Sequence, residues 1–338
     1  MRDRERAIHW GILLSSLAVC GWVFGTARAE PPRVNAPVAA KEVAHDARTP
    51  LSLLPPGSAF VLTADMARLQ RTPLGGLLAQ RLARAGGTTK LTTLCGFDPL
   101  SRLDQLALAV PSAGRDAQEH PEDFGIVASG RIDAAEIMRC ASAAITDRSG
   151  EAIETRVGSF STVRDRKSEG EVAARDGGPL IFSGGAYFRG LLDAAEGHSD
   201  PRPDARDQRH AELRRALGPG TLLATWIPSE GWLQHVASEE TNARLSPLAG
   251  LQALGARIEV NDAVHVLVLL DCGDSESAAR VSSLLNELRS SLDALPVDPA
   301  LSSVSKRVSL SQTGARLKLG LDLGEAELSA LSSSLLGP

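Results

Sequence analysis

Leu317, Leu319, Leu321 and Leu323 alternate strictly with Arg316, Lys318, Gly320 and Asp322 near the end of this chain. That period of two predicts a strand with one buried face and one wet face. Apolar runs bounded by turn residues predict further strands at Phe60–Met66, Leu106–Pro111, Phe124–Gly130, Thr155–Val163, Gly178–Gly185, Leu222–Pro228, Ala253–Val260, Val264–Asp271 and Ser305–Gln312. Helical spacing takes over between them. Val281, Leu284, Leu285, Leu288 and Leu292 recur at helical intervals behind Asp274 and Ser275, and Ile137, Cys140, Ala141 and Ala144 do so behind the capping pair Asp133 and Glu136. Thr72 and Pro73 open a helix carrying Leu74, Leu77, Leu78 and Leu82. Further helices are expected at Ser229–Glu240, Tyr187–Ala195 and Glu325–Leu335.

Read side by side, residues 54–196 and 212–338 present these elements in the same order, β-α-β-β-α-β-β-α. The fold class expected is therefore α+β: two tandem repeats of a mainly antiparallel sheet with helices packed on one face. Residues 197–211 lie between them. Pro201, Pro203, three Asp and three Arg in this stretch mark it as a polar linker between two domains.

The first 53 residues have another character. Arg2, Arg4 and Arg6 precede an apolar run from Ile12 to Phe24, and Ala27-Arg28-Ala29 follows, which is the layout of a signal peptide over residues 1–29 cleaved before Glu30. The run falls short of the roughly 20 residues of a bilayer span. Leu17-Ala18-Val19-Cys20 resembles a bacterial lipid-attachment box, with Val19 where a small residue belongs, so a lipid anchor at Cys20 is the alternative. Residues 30–53, with Pro31, Pro32, Pro37 and Pro50 and no period, read as a flexible tether.

Export changes how the cysteines are read. The mature chain keeps Cys95, Cys140 and Cys272, an odd number, and an oxidising destination makes Cys95 and Cys140 the candidate disulfide. Cys140 also shares a helical face with Ile137, Ala141 and Ala144, the setting of a buried apolar thiol, so both readings stay open. Four Arg and two acidic residues leave with the leader, moving the formal charge from −5 to −7. With no basic block, nucleic acid is excluded as a partner. Nine aromatics remain in the mature chain, too few for sugar or single-strand stacking platforms. Abundant Ala, Arg, Leu and Gly with little Lys, Tyr and Asn is the composition of proteins from GC-rich bacterial genomes.

Searches for chemistry end in structural explanations. No G-x-S-x-G, H-E-x-x-H, G-x-x-x-x-G-K or C-x-x-C occurs. Ser303 and Lys306 satisfy S-x-x-K at a strand start, without the K-T-G and S-D-N that accompany it in β-lactamases. His198, Asp200, Asp204, Asp207 and His210 sit in the linker among arginines that oppose a cation, and Glu119, His120, Glu122 and Asp123 read as a hairpin loop. Asp274, near Asp271, is a helix cap. Trp226 and Trp232 flank a strand-to-helix junction and suit packing. His235 and His265 are the two histidines expected to be rigidly held, each as a core residue. No catalytic, cofactor-binding or metal residue is assigned, and no cofactor. The chain is expected to be an exported bacterial envelope protein, in the periplasm or cell envelope, acting as a non-enzymatic binding or interaction module. Its partner would be a protein or small ligand, touching membrane only through the leader or a lipid at Cys20. The alternative is a hydrolase with an unfamiliar site. An enzyme would converge His, Asp, Glu or Ser in a pocket, whereas a binding module would present an apolar or edge-strand surface.

Overall fold

The computed structural model describes residues 49–72, 75–76, 88–111, 123–167, 170–185, 187–198, 205–237, 243–294, 304, 306–324 and 326–327. The leader, most of the tether, Ser303, the Glu119–Glu122 loop and most of the helix expected at Glu325–Leu335 lie outside them.

The fold is α+β, built on one antiparallel sheet of twelve strands. In chain order they are β1 (Ser58–Asp65), β2 (Leu103–Pro111), β3 (Phe124–Gly130), β4 (Ala152–Val157), β5 (Phe160–Asp165), β6 (Glu171–Ala174), β7 (Leu180–Gly184), β8 (Leu222–Trp226), β9 (Leu251–Val260), β10 (Val264–Cys272), β11 (Ser309–Thr313) and β12 (Arg316–Leu323). Among the described residues the helices include α1 (Met66–Arg71), α2 (Thr88–Cys95), α3 (Ala134–Asp147), α4 (Tyr187–Glu196), α5 (Ala205–Leu217), α6 (Glu230–Ala237) and α7 (Ser275–Ala294). Across the sheet the strands run β11-β12-β10-β9-β8-β1-β2-β3-β7-β6-β5-β4. The join between the early and late strands is the β1–β8 pair, with Phe60 opposite Trp226 and Leu62 opposite Ala224. Residues 54–196 and 212–338 therefore share a continuous sheet.

Local chemistry explains the ends of the elements. Asp133 caps α3 by accepting from the Glu136 amide at 2.9 Å, and Asp274 caps α7 by accepting from the Ser277 amide at 2.7 Å. Thr72 Oγ1 accepts from the Gly75 amide at 2.9 Å, and most of the helix expected behind it, with Leu74, Leu77, Leu78 and Leu82, lies outside the described residues. The run Thr155–Val163, expected as one strand, is the heart of the β4–β5 hairpin, turning at Gly158 with φ +59°. Alternation continues on both sides of that turn, which hides it from a periodicity reading.

Two further expectations differ from the structure. Residues 205–211 of the expected linker form the first half of α5, whose Leu213 and Leu217 are buried against the sheet. Helices also pack on both faces, not one. Val127 and Ala128, adjacent in β3, pack into different clusters: Val127 beneath Leu191 and Leu192 of α4, Ala128 beneath Ile137 and Met138 of α3. We call these faces A and B. Face A carries α4 and α5; face B carries α3 at one end, α7 at the other, and α1 over one end of the strands between them. The cause is legible in β2, where Ala107 and Ala109 on face A are as apolar as Leu106 and Leu108 on face B.

Candidate functional site: an apolar floor and a polar seam

On face B, α3 packs over β4, β5 and β6, while α7 and residues 243–250 cover β9 and the strands beyond it and reach Trp226 of β8. Met66 and Leu69 of α1 cover one end of the strands between, over Ala64, Leu103, Ala128 and Val260. Between these covers lies the other end of β7, β3, β2, β1 and β8, roughly 19 Å of sheet at about 4.8 Å per strand. Register places Phe60 and Leu62 of β1, Leu108 and Val110 of β2, Phe124 and Ile126 of β3, Phe182 of β7, and Ala224 and Trp226 of β8 on this floor. None of them is buried. Val110 is 37% exposed and Phe182 38%, with the Phe182 ring tilted at 56° against Phe124, centroids 5.2 Å apart. Trp226 meets Trp232 of α6 edge-on at 4.7 Å, leaving both half-buried at the α7 side. The walls are fastened as well as packed. Cys95 of α2 and Cys140 of α3 form a disulfide with Cα atoms 4.4 Å apart, and Cys272 is a free, buried thiol whose ionisation burial pushes up.

Behind the same strands, face A holds a polar seam under α5. His210, 5% exposed, has Nδ1 2.7 Å from Thr225 Oγ1 and Nε2 2.9 Å from the Ser58 carbonyl. A carbonyl only accepts, so Nε2 carries the proton and Nδ1 accepts from the Thr225 hydroxyl. Burial pulls this imidazole below the ordinary histidine range, opposed by the bond to Ser58 and by Asp207. Ser58 Oγ donates to Pro55 O and meets the Tyr187 hydroxyl, both at 3.1 Å. The desolvated Tyr187 phenol is pushed up. Arg214 donates through Nη2 to Thr63 Oγ1 at 2.6 Å, and desolvation lowers its guanidinium.

That seam brings a serine and a histidine together without making a nucleophile. His210 bonds the Ser58 backbone rather than its hydroxyl, and the hydroxyl proton already serves Pro55. The arrangement clamps α5 and α4 to the β1–β8 join. His210 was expected in a solvated linker; the polar composition of α5 conceals the one stripe, His210, Leu213 and Leu217, that it turns inward. His265 instead lies on the outer part of face A, 48% exposed and 2.6 Å from Asp322 Oδ1, so it is a surface residue and not a core one. The His235 side chain lies outside the described residues, as do His120, Asp200 and Asp204. His198 sits just beyond α4. Asp271 accepts from Arg316 Nη2 at 3.2 Å. A shallow groove of about 480 Å³, lined by Pro247, Glu276, Ala279, Arg280, Ser283, Leu284 and Glu287, holds the Arg280–Glu276 ion pair. Among the described residues no His, Cys, Asp or Glu cluster has the makings of a metal site, and no helix is long and apolar enough to cross a membrane.

Comparison with known proteins adds little to this picture. No family model matches the chain and no curated protein matches it. Two crystal forms of TP0453 are similar at low level. Form I gives a TM-score of 0.44 at 13% identity, covering 85% of this chain and 98% of that one; form IV gives 0.45 at 12%, covering 85% and 96%. At these scores nothing known of TP0453 transfers to this chain.

Proposed function

We propose that this is an exported, non-enzymatic interaction module of the bacterial cell envelope that takes the apolar face of a protein partner on the floor of face B. The observation that carries this reading is the apolar surface itself: Val110 and Phe182 are 37% and 38% exposed on strands whose other face is closed, where Ala107, Ala109 and Ile181 are fully buried. Contiguous exposed apolar surface of this kind is the mark of an interaction site. A small ligand is enclosed on most sides by its pocket. A floor about five strands wide suits a macromolecular surface instead. Export rests on the leader of residues 1–29, and its test is the intact mass of protein from the envelope fraction: a chain beginning at Glu30 is expected, and retention of Met1 or a lipid-modified Cys20 would overturn cleavage at that point.

We further infer that the sheet arose by internal duplication. From the β1–β8 join, β1-β2-β3 and β8-β9-β10 each run outward as a meander, each continues into a face-B helix, and each final strand, β7 or β12, returns beside the third. Superposition of the two halves in an experimental structure, with these strands in matching order, tests it; different topologies end it.

The functional test is photo-crosslinking in cells. A crosslinking residue at Val110 or Phe182 is expected to give an adduct of discrete mass, and one at Arg215, exposed on α5, none. Adducts with a small apolar molecule would replace the protein partner by a ligand. No adduct from either floor position, or equal yields from Arg215, would overturn the reading.

A further inference from the structure

We infer that β11 is a docking edge for a second copy of this chain, two β11 strands pairing antiparallel across a twofold axis through Ser311. β11 is the outer strand at its end of the sheet, hydrogen-bonded on one side to β12 from Ser309–Gly320 to Thr313–Arg316. Gly314 and Ala315 join the two strands in a two-residue turn, with Gly314 at φ +58°. The closing pair of such a hairpin exchanges both of its bonds. Thr313, Ser311 and Ser309 therefore direct their backbone groups at β12, and Leu310 and Gln312 direct theirs outward. An open row of this kind is a template for another strand, and proteins ordinarily blunt it with charge, proline or a bulge.

The two ends of this sheet differ on that point. β4, the edge at the other end, carries Glu154 and Arg156, both exposed. β11 reads Ser-Leu-Ser-Gln-Thr, with no charge, no proline and an unbroken register. Pairing it with itself about Ser311 sets Leu310 against Gln312 of the second copy and Ser311 against Ser311, so no like charges meet within the strand pair. The outward groups of Leu310 and Gln312 then make four hydrogen bonds.

A second observation lies beside this edge. Leu288 is seven residues from Val281, about 20° away around the helix. Val281 is fully buried, yet Leu288 is 46% exposed, so α7 carries its apolar stripe past the cover the sheet provides. Arg289 Nη1 donates to Val308 O at 3.3 Å, which ties this overhanging turn to the start of β11. A second copy on the β11 edge brings its own α7 onto the same face, where the two exposed Leu288 side chains flank the axis. The twofold stands perpendicular to the sheet, so face B of both copies looks the same way and their floors lie side by side. The inference does not depend on what those floors bind.

Charge placed at Ser311, an exposed position, tests the pairing. The mature chain should sediment as a concentration-dependent dimer, and Ser311→Lys and Ser311→Glu should each be monomeric with unchanged circular dichroism. An equimolar mixture of the two variants should recover the dimer, because opposite charges then meet at the axis. A wild-type chain that stays monomeric throughout the concentration series overturns the inference. So does a dimer that persists in both variants, or a mixture that fails to associate.

Discussion

Ile181 and Phe182 are neighbours in β7, yet Ile181 is completely buried under α4 and Phe182 is 38% exposed on the other face. The same split runs across the middle of the sheet. Ala107, Ala109, Val127, Thr225 and Ala253 on face A have no exposure at all, while their neighbours Leu108, Val110, Ile126, Trp226 and Leu254 on face B keep contact with solvent. A third region shows what this molecule does with a wet sheet face. On the outer part of face A, β10 and β12 present His265, Asp271, Arg316, Lys318 and Asp322, a polar surface in which His265 pairs with Asp322 and Asp271 with Arg316. Where a sheet face is left to water it is usually polar. The central floor is open and apolar, and that departure is the physical ground for assigning it a partner.

Substitution at the two β7 neighbours should give the widest separation between the faces. Ile181→Ala removes a fully enclosed side chain and should cost about 2–5 kcal/mol in urea unfolding. Phe182→Ser should cost about 1 kcal/mol or less, since it loses partial burial and the contact with Phe124. Equal losses would mean that the floor is closed in solution. Breaking the disulfide with Cys95→Ser should cost about 2–4 kcal/mol, the usual worth of a crosslink, and should raise hydrogen exchange in α2 before it does so in α4. Uniform loosening of both faces would count against the bridge as a fastening of the face-B wall. A smaller loss, about 1 kcal/mol, is expected from Asp133→Ala, which leaves the first turn of α3 without its cap.

The smallest effect belongs to the seam on face A and appears as a pH dependence. His210 binds its proton less tightly in the folded protein than in the unfolded chain. Its contribution is therefore full above the ordinary histidine value of 6.5 and is lost as the pH falls through the lowered folded value. Melting temperature should fall from about pH 7.5 to about pH 5, and His210→Gln should flatten that slope while lowering the value at the upper end. An unchanged slope would show that the imidazole is not shielded where α5 meets β1 and β8.

Much of this architecture is written in local pattern. The alternation of Leu317 to Leu323 marks β12, and Asp133 and Asp274 mark the starts of α3 and α7, because a period of two and a capping carboxylate depend only on near neighbours. Pairing is not local. Nothing near Phe60 specifies Trp226 as its cross-strand neighbour, and a reading by segments turns one sheet into two domains. The helix α5 escaped for another reason: it buries few aliphatic side chains and lays the stems of Arg209 and Arg214 against the sheet, so its composition is that of a linker. Floor residues could be recognised as strand residues but not as exposed ones, since an apolar position in a strand is ordinarily evidence of burial.

Binding of an apolar fluorescent probe such as anilinonaphthalene sulfonate to the folded chain from residue 30 onward tests the open floor most directly. The native protein should bind the probe under conditions where circular dichroism shows no unfolding, and the Val110→Glu, Phe182→Glu double variant should lose that binding with its fold intact. A native protein that binds no probe, or a double variant that binds it unchanged, would contradict an accessible apolar floor on face B.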